Sequence, residues 1–167
     1  SLKEASAQLA RALEMPIAKV LEALADEQHL LLRAAVGIAE DIARPGITRV
    51  PSGKGSAAGY AVEKQKPVIS YVRTEDRFEP SEVVRRAGVA LSANVVIQDR
   101  GAPFGTLEVD DRVERTLSSE DIDFLQAYAN VLASAVERQR ATARVEALAQ
   151  ERQLLVRELQ HRVKNML

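Results

Sequence analysis

The residues best suited to chemistry lie in the final stretch, "RELQHRVKNML", where His161 is followed by Arg162, Val163, Lys164 and Asn165. On a helix, at about 100° per residue, Val145, Leu148, Arg152, Leu155, Val156, Leu159, Val163 and Met166 fall on one stripe, apolar except for Arg152. His161 falls nearly opposite its centre, with Arg157, Glu158, Lys164 and Asn165 around it. An outward imidazole in this company could be an ordinary solvated side chain. It could also accept a phosphoryl group, since Nε2 needs an open, in-line approach to a γ-phosphate. Glu158, one turn earlier, is placed to hold the imidazole proton and fix the tautomer. Lys164 and Asn165 could attract and bond phosphate oxygens.

The other histidine, His29, sits at a strand edge without a second ligand nearby in sequence and reads as a surface residue. Two histidines so far apart do not suggest zinc, so no metal is expected. With no Cys there is no disulfide, thiolate site or thioether-linked cofactor. The 167 residues suit one domain plus an extension, and 46% hydrophobic residues suffice for a core. Aromatics make up only 4%, so Ala, Leu and Val carry the burial. A net charge of -1 gives no electrostatic case for nucleic acid or an anionic membrane, and no apolar run is long enough to span a bilayer. These features suggest a soluble, cytoplasmic chain. A start without Met and an end in mid-helix suggest a piece of something longer.

The elements that must position the histidine follow from periodicity. Leu2, Ala5, Leu9 and Leu13 have helical spacing, and Pro16 fits the first turn of a second short helix through about Leu24. "HLLLRAAVGI" alternates as a strand covered at least partly on both faces. A Gly-, Pro- and Ser-rich loop follows, ending in a short helix near Ala57–Lys64. "KPVISYV" is the next strand, and "TEDRFEPSEVVRRAG" a loop with a brief helix closed by Gly88. "LSANVVIQ" and "GTLEVDD" are strands joined by "DRGAPF", whose Gly101 suits a hairpin. The fold class is therefore α+β: a mostly antiparallel sheet flanked by helices. From Ser118 the character changes. Ser118 and Asp121 have capping-box spacing, and no Gly or Pro occurs between Ser118 and Leu167. One continuous helix of about 75 Å is expected.

Several segments carry a family likeness. "GYAVEKQKPVIS", "EDRF", "GVALSANVVIQDRGAPFGTLEVDD" and "LSSEDIDFLQAYANVLASAVER" resemble, in order, segments of GAF sensory domains, most of all those upstream of bacterial histidine kinases. "LVRELQHRVKN" resembles the phosphoacceptor box of HWE-type and related histidine kinases. The resemblance implies a GAF domain over 1–138, a coiled-coil signalling helix over 139–156, and the start of a phosphoacceptor helix at 157–167. It further implies a sensor histidine kinase in which the domain controls phosphorylation of His161, which passes phosphate to a response regulator Asp. The kinase's ATP-binding domain is not among these residues, so ATP and Mg²⁺ belong with that domain and the chain alone is expected to be inactive. Two departures stand out. The segment before "HLLLRAAVGI" is short enough to suggest an abbreviated first strand or hairpin. The commoner box also has an acid directly after the histidine, where this sequence has Arg162.

GAF domains hold small molecules between a sheet face and covering loops and helices, here about Ser52–Lys64 and Thr74–Arg86. Tyr60, Tyr71, Phe78 and Phe104 are the aromatics near such a pocket, with Arg77 and Arg86 as anion partners. With so few aromatics, filling of a small closed core is the favoured role for them. No cofactor or chromophore is expected. The long helix has two apolar faces near its start, one with Ile122, Leu125, Ala129, Leu132 and Val136, the other with Phe124, Tyr128, Val131 and Ala135. One domain covers only one of them, so a parallel homodimer is expected, its seam continuing through Val145, Leu148, Leu155 and Leu159. The alternative function is a ligand-binding module of a transcription or signalling regulator whose helix only dimerises it. A third, a GAF-type sulfoxide reductase, is argued against by the lack of Cys.

Overall fold

A computed structural model describes residues 1–167 and divides into two compact units, Ser1–Ala133 and Ser134–Leu167. In the first unit, α1 (Leu2–Ala12) precedes strands β1 (Ile17–Ala23), β2 (His29–Val36) and β3 (Arg49–Pro51). Helix α2 (Ala57–Lys64), strand β4 (Val68–Tyr71) and helix α3 (Glu82–Arg86) come next, then β5 (Leu91–Asp99) and β6 (Ala102–Asp111). The six strands form one sheet in the order β3-β2-β1-β6-β5-β4, every pair antiparallel. Helix α4 spans Ser119–Met166; its start lies in the first unit, and its residues from Ser134 onward belong to the second.

The short helix expected from Pro16 to Leu24 is a strand instead. β1 lies beside β6 at the centre of the sheet, and its first five residues are buried on both faces. A strand covered on both sides loses the apolar–polar alternation that marks a half-exposed one. "PIAKVLEALA" therefore mimics helical spacing, while Ile17 and Val20 favour the extended state. The same segment supplies the first strand and hairpin expected to be abbreviated. β1 is seven residues long, and its turn to β2 is closed by Asp26 Oδ1, which accepts from the amides of Gln28 and His29. β3 was not expected either: it lies within the stretch read as a loop, is three residues long and pairs only with β2 at the sheet edge. The remaining strands and helices lie where periodicity placed them, with one difference. The hairpin after β5 is only Arg100–Gly101, not the whole of "DRGAPF", and Gly101 there has φ +70°.

Helix α4 begins with a reciprocal capping box. Asp121 N–H donates to Ser118 Oγ (3.1 Å), and Ser118 N–H donates to Asp121 Oδ2 (3.0 Å). Leu125, Ala129 and Leu132 are buried. On the next face Tyr128 donates its hydroxyl proton to Ala5 O of α1 (3.1 Å), whereas Phe124 and Val131 are exposed. In the second unit Val145, Leu148, Leu155, Leu159 and Val163 are each more than half exposed. No helix is long and apolar enough to cross a membrane.

Candidate functional site

The central strands carry a buried polar face that sequence reasoning missed. In β6, Leu107 and Val109 turn to one side and Thr106, Glu108 and Asp110 to the other, as alternation requires. Register places Lys19 and Asn94 opposite Glu108, Ser92 opposite Asp110, and Ser70 opposite Ser92. All seven polar side chains are buried. Lys19 Nζ lies 2.6 Å from Glu108 Oε2 and 2.9 Å from Asp110 Oδ2. Burial works against the ammonium, but Asp110 and then Glu108 outweigh it and hold Lys19 protonated above the ordinary lysine range. Burial, and then Glu108, push the Asp110 carboxyl well above the carboxylate range despite the pull of Lys19. The available signal was the i, i+2 acids of "LEVD" inside an apolar strand. Their partner was hidden because the Lys19 segment looked helical.

Lys19 and Glu108 line a cavity of about 10 Å³, room for one water, beneath Ser56–Ala58 and Ser81–Val84. Two N-caps fix this cover. Ser56 Oγ accepts from Gly59 N–H (2.9 Å) at the start of α2, and Ser81 Oγ accepts from Val84 N–H (3.3 Å) at the start of α3. Gly59 admits the loop, for a Cβ there would come within 2.6 Å of Gly53 N.

Of the six expected pocket residues, three come together and none lines this cavity. The Tyr60 and Phe78 rings lie 5.2 Å apart, with Arg77 Cζ 5.8 and 5.6 Å from their centroids. Phe78 packs with Ala57, Ala61 and Val68. Arg77 is engaged by Glu75, to which its Nη2 donates at 2.8 Å, and by Ile69 O. Tyr71 donates to Arg115 O, Arg86 donates to Asp41 O, and Phe104 is buried in β6. His29 is a hairpin residue, with Nδ1 3.1 Å from Asp26 Oδ2. No group of His, Asp and Glu is arranged to hold a metal ion.

Glu75 yields a pH prediction. Burial pushes its carboxyl up, but bonds from Arg77 and Ser70 outweigh that and hold it down to about 2, from an ordinary 4.5. A lowered carboxyl stabilises the fold above its unfolded value, and the gain is lost as pH falls from 4.5 through 2. Glu75→Gln is expected to lose about 1–2 kcal/mol at pH 7. Denaturant titration of both proteins is expected to show that difference closing as pH approaches 2.

In the second unit, His161 is exposed on α4. Asn165 Nδ2 lies 3.3 Å from His161 Nδ1, while Glu158 Oε1 accepts from Arg162 Nη2 at 2.8 Å. The group facing Nδ1 is therefore Asn165, one turn later, and not Glu158. A carboxamide carries both a donor and an acceptor. Turned over, Asn165 would accept from Nδ1–H and leave the Nε2 lone pair directed outward. Arg157, Lys164 and Arg162 provide positive charge nearby.

A family model described as the GAF domain matches residues 2–136. No curated protein sequence matches the chain. Among solved structures, the fold is similar to the GAF domain of the Acinetobacter phosphoenolpyruvate-protein phosphotransferase (TM-score 0.72, 17% identity, 86% of this chain and 84% of that one). It is also similar to a domain assigned to a two-component sensor histidine kinase protein of Sinorhizobium meliloti 1021 (TM-score 0.70, 15% identity, 87% and 94%). A third is the free methionine-R-sulfoxide reductase of Neisseria meningitidis, solved with its substrate (TM-score 0.67, 19% identity, 83% and 78%).

Proposed function

The chain belongs to the GAF domain family over residues 2–136, and from that premise we propose that it is the regulatory part of a two-component sensor histidine kinase, with His161 as phosphoacceptor. The observation that carries this reading is His161 itself, exposed, with Nδ1 beside Asn165 and set among positively charged neighbours. Similarity in fold to the Sinorhizobium meliloti domain supports it. In the proposed step Nε2 attacks the γ-phosphorus of ATP, the N–P bond forms as the bond to the bridging oxygen breaks, and ADP leaves. With its carboxamide turned over, Asn165 Oδ1 accepts from Nδ1–H and so keeps the lone pair on Nε2. Lys164 and Arg157 steady the phosphate oxygens. A response regulator Asp then takes the phosphoryl group, and Mg²⁺ and the nucleotide are supplied through an ATP-binding domain. The test uses the full-length protein with labelled ATP. Acid-labile label is expected in the parent and absent from His161→Gln. The alternative, a ligand-binding module with a purely structural helix, predicts no label in either.

A parallel homodimer along α4 completes the proposal. Pairing would cover Phe124, Val131, Leu148 and Leu159 and bring both His161 residues to the same end. Leu154, apolar and on the His161 side, would be a docking contact for the kinase domain or response regulator. Val131 and Leu148 are 67% and 65% exposed in a single chain, so charge there leaves the fold of one chain intact. Sedimentation is expected to show a dimeric parent and a monomeric Val131→Glu, Leu148→Glu variant at micromolar concentration. A variant as dimeric as the parent would place the interface elsewhere.

A further inference from the structure

The Lys19–Glu108–Asp110 cluster has no part in the phosphotransfer reading, and its geometry describes a recognition site for a primary ammonium. Nζ contacts carboxylates from two residues on one strand face, and each of the three side chains is at most 4% exposed. A charge this deep is tolerated only where its partners are held rigidly. Glu108 and Asp110 meet that condition, because β6 is paired on both sides, to β1 and to β5. An acceptor is left over: Asn94 Oδ1, opposite Glu108, is buried without a hydrogen-bond donor. An acceptor-rich wall of this kind selects for a cation that carries several N–H donors. The cavity beside it has room for about one water, so nothing larger enters while the lysine is in place.

We propose that this sheet face is a binding site for an organic ammonium group and that Lys19 is its built-in occupant, so that the native domain holds the site filled against free amines. Tethering gives the lysine an effective concentration that free amines do not reach. Signals then act on the domain by routes other than a small molecule seated on these carboxylates. This inference goes beyond the phosphotransfer reading and holds whether or not His161 is phosphorylated.

Lys19→Ala removes Cγ, Cδ, Cε and the ammonium, a fragment matched by propylammonium. The variant is expected to melt below the parent. Propylammonium is expected to raise its midpoint by roughly 5–10 °C at a hundredfold excess over the dissociation constant. 1-Propanol, of like shape without the charge, is expected to do nothing, and the parent is expected to respond to neither. Lys19→Met, which refills the space without charge, is likewise expected to ignore the amine. If Lys19→Ala does not fold alone, it is refolded with and without propylammonium; recovery with the amine alone supports the proposal, and recovery with neither overturns it. It is also overturned if the amine leaves a folded Lys19→Ala unchanged, if it shifts the parent equally, or if propanol rescues as well.

Discussion

Lys19→Met is expected to destabilise the domain by about 3–5 kcal/mol at pH 7, the usual consequence of leaving buried charge without its partner. Methionine approximates the lysine stem, so the loss is electrostatic and not a packing defect. The two carboxylates lose the ammonium at 2.6 and 2.9 Å and stay buried. Without the opposing pull of Lys19, burial pushes the Asp110 carboxyl, already held above the carboxylate range, further up. A group whose folded value is raised contributes fully below its unfolded value, near 4, and loses that contribution as pH climbs. The penalty of Lys19→Met is therefore largest from neutral pH up to the ordinary lysine value and shrinks toward pH 4. The parent already shows the trend in part, since burial and Glu108 hold Asp110 high. Denaturant unfolding at pH 4.5 and 7 checks both magnitude and slope. A variant equally destabilised at both values would show that the cluster contributes by shape alone.

The second large effect concerns which neighbour serves His161. Asn165→Ala in the full-length protein is expected to slow phosphoryl uptake by about 10- to 100-fold, below the roughly 10²- to 10⁴-fold of a general acid or base because Asn165 only orients the imidazole proton. Glu158→Gln is expected to change it by less than about threefold, because the carboxylate already accepts from Arg162 at 2.8 Å. Initial rates of acid-labile labelling separate the two. A large loss in Glu158→Gln with none in Asn165→Ala would mean that Glu158 turns to the imidazole in the working state.

These cases mark how far the sequence was legible. Ser118 and Asp121 announced the start of α4 correctly because a capping box is local chemistry, read within one turn. The β5–β6 hairpin and the Ala57–Lys64 helix were equally local. β1 was not, because its extended state depends on pairing with β2 and β6 and its burial on both faces erases the pattern. That one error hid the most charged feature of the core, since Lys19 meets Glu108 only when both are placed on neighbouring strands. At His161 the candidates were visible but the choice was not. Glu158 lies three residues before the histidine and Asn165 four after, and both spacings face it on a helix. Arg162, four residues after Glu158, takes that carboxylate, which is a competition among neighbours and not a property of any one of them. Among the pocket aromatics, Tyr60 and Phe78 meet, Phe78 buried and Tyr60 half-buried, with Arg77 engaged by Glu75.

Phosphorus–proton correlation NMR on the full-length protein after reaction with ATP and Mg²⁺, with the histidine ring protons assigned through His161→Gln, tests most directly whether His161 receives phosphate at Nε2. One phosphoramidate signal is expected, coupled to the His161 ring in the pattern of Nε2 substitution and absent from the variant. A phosphoryl group on Nδ1, on His29, or on any residue other than His161 would contradict that reading.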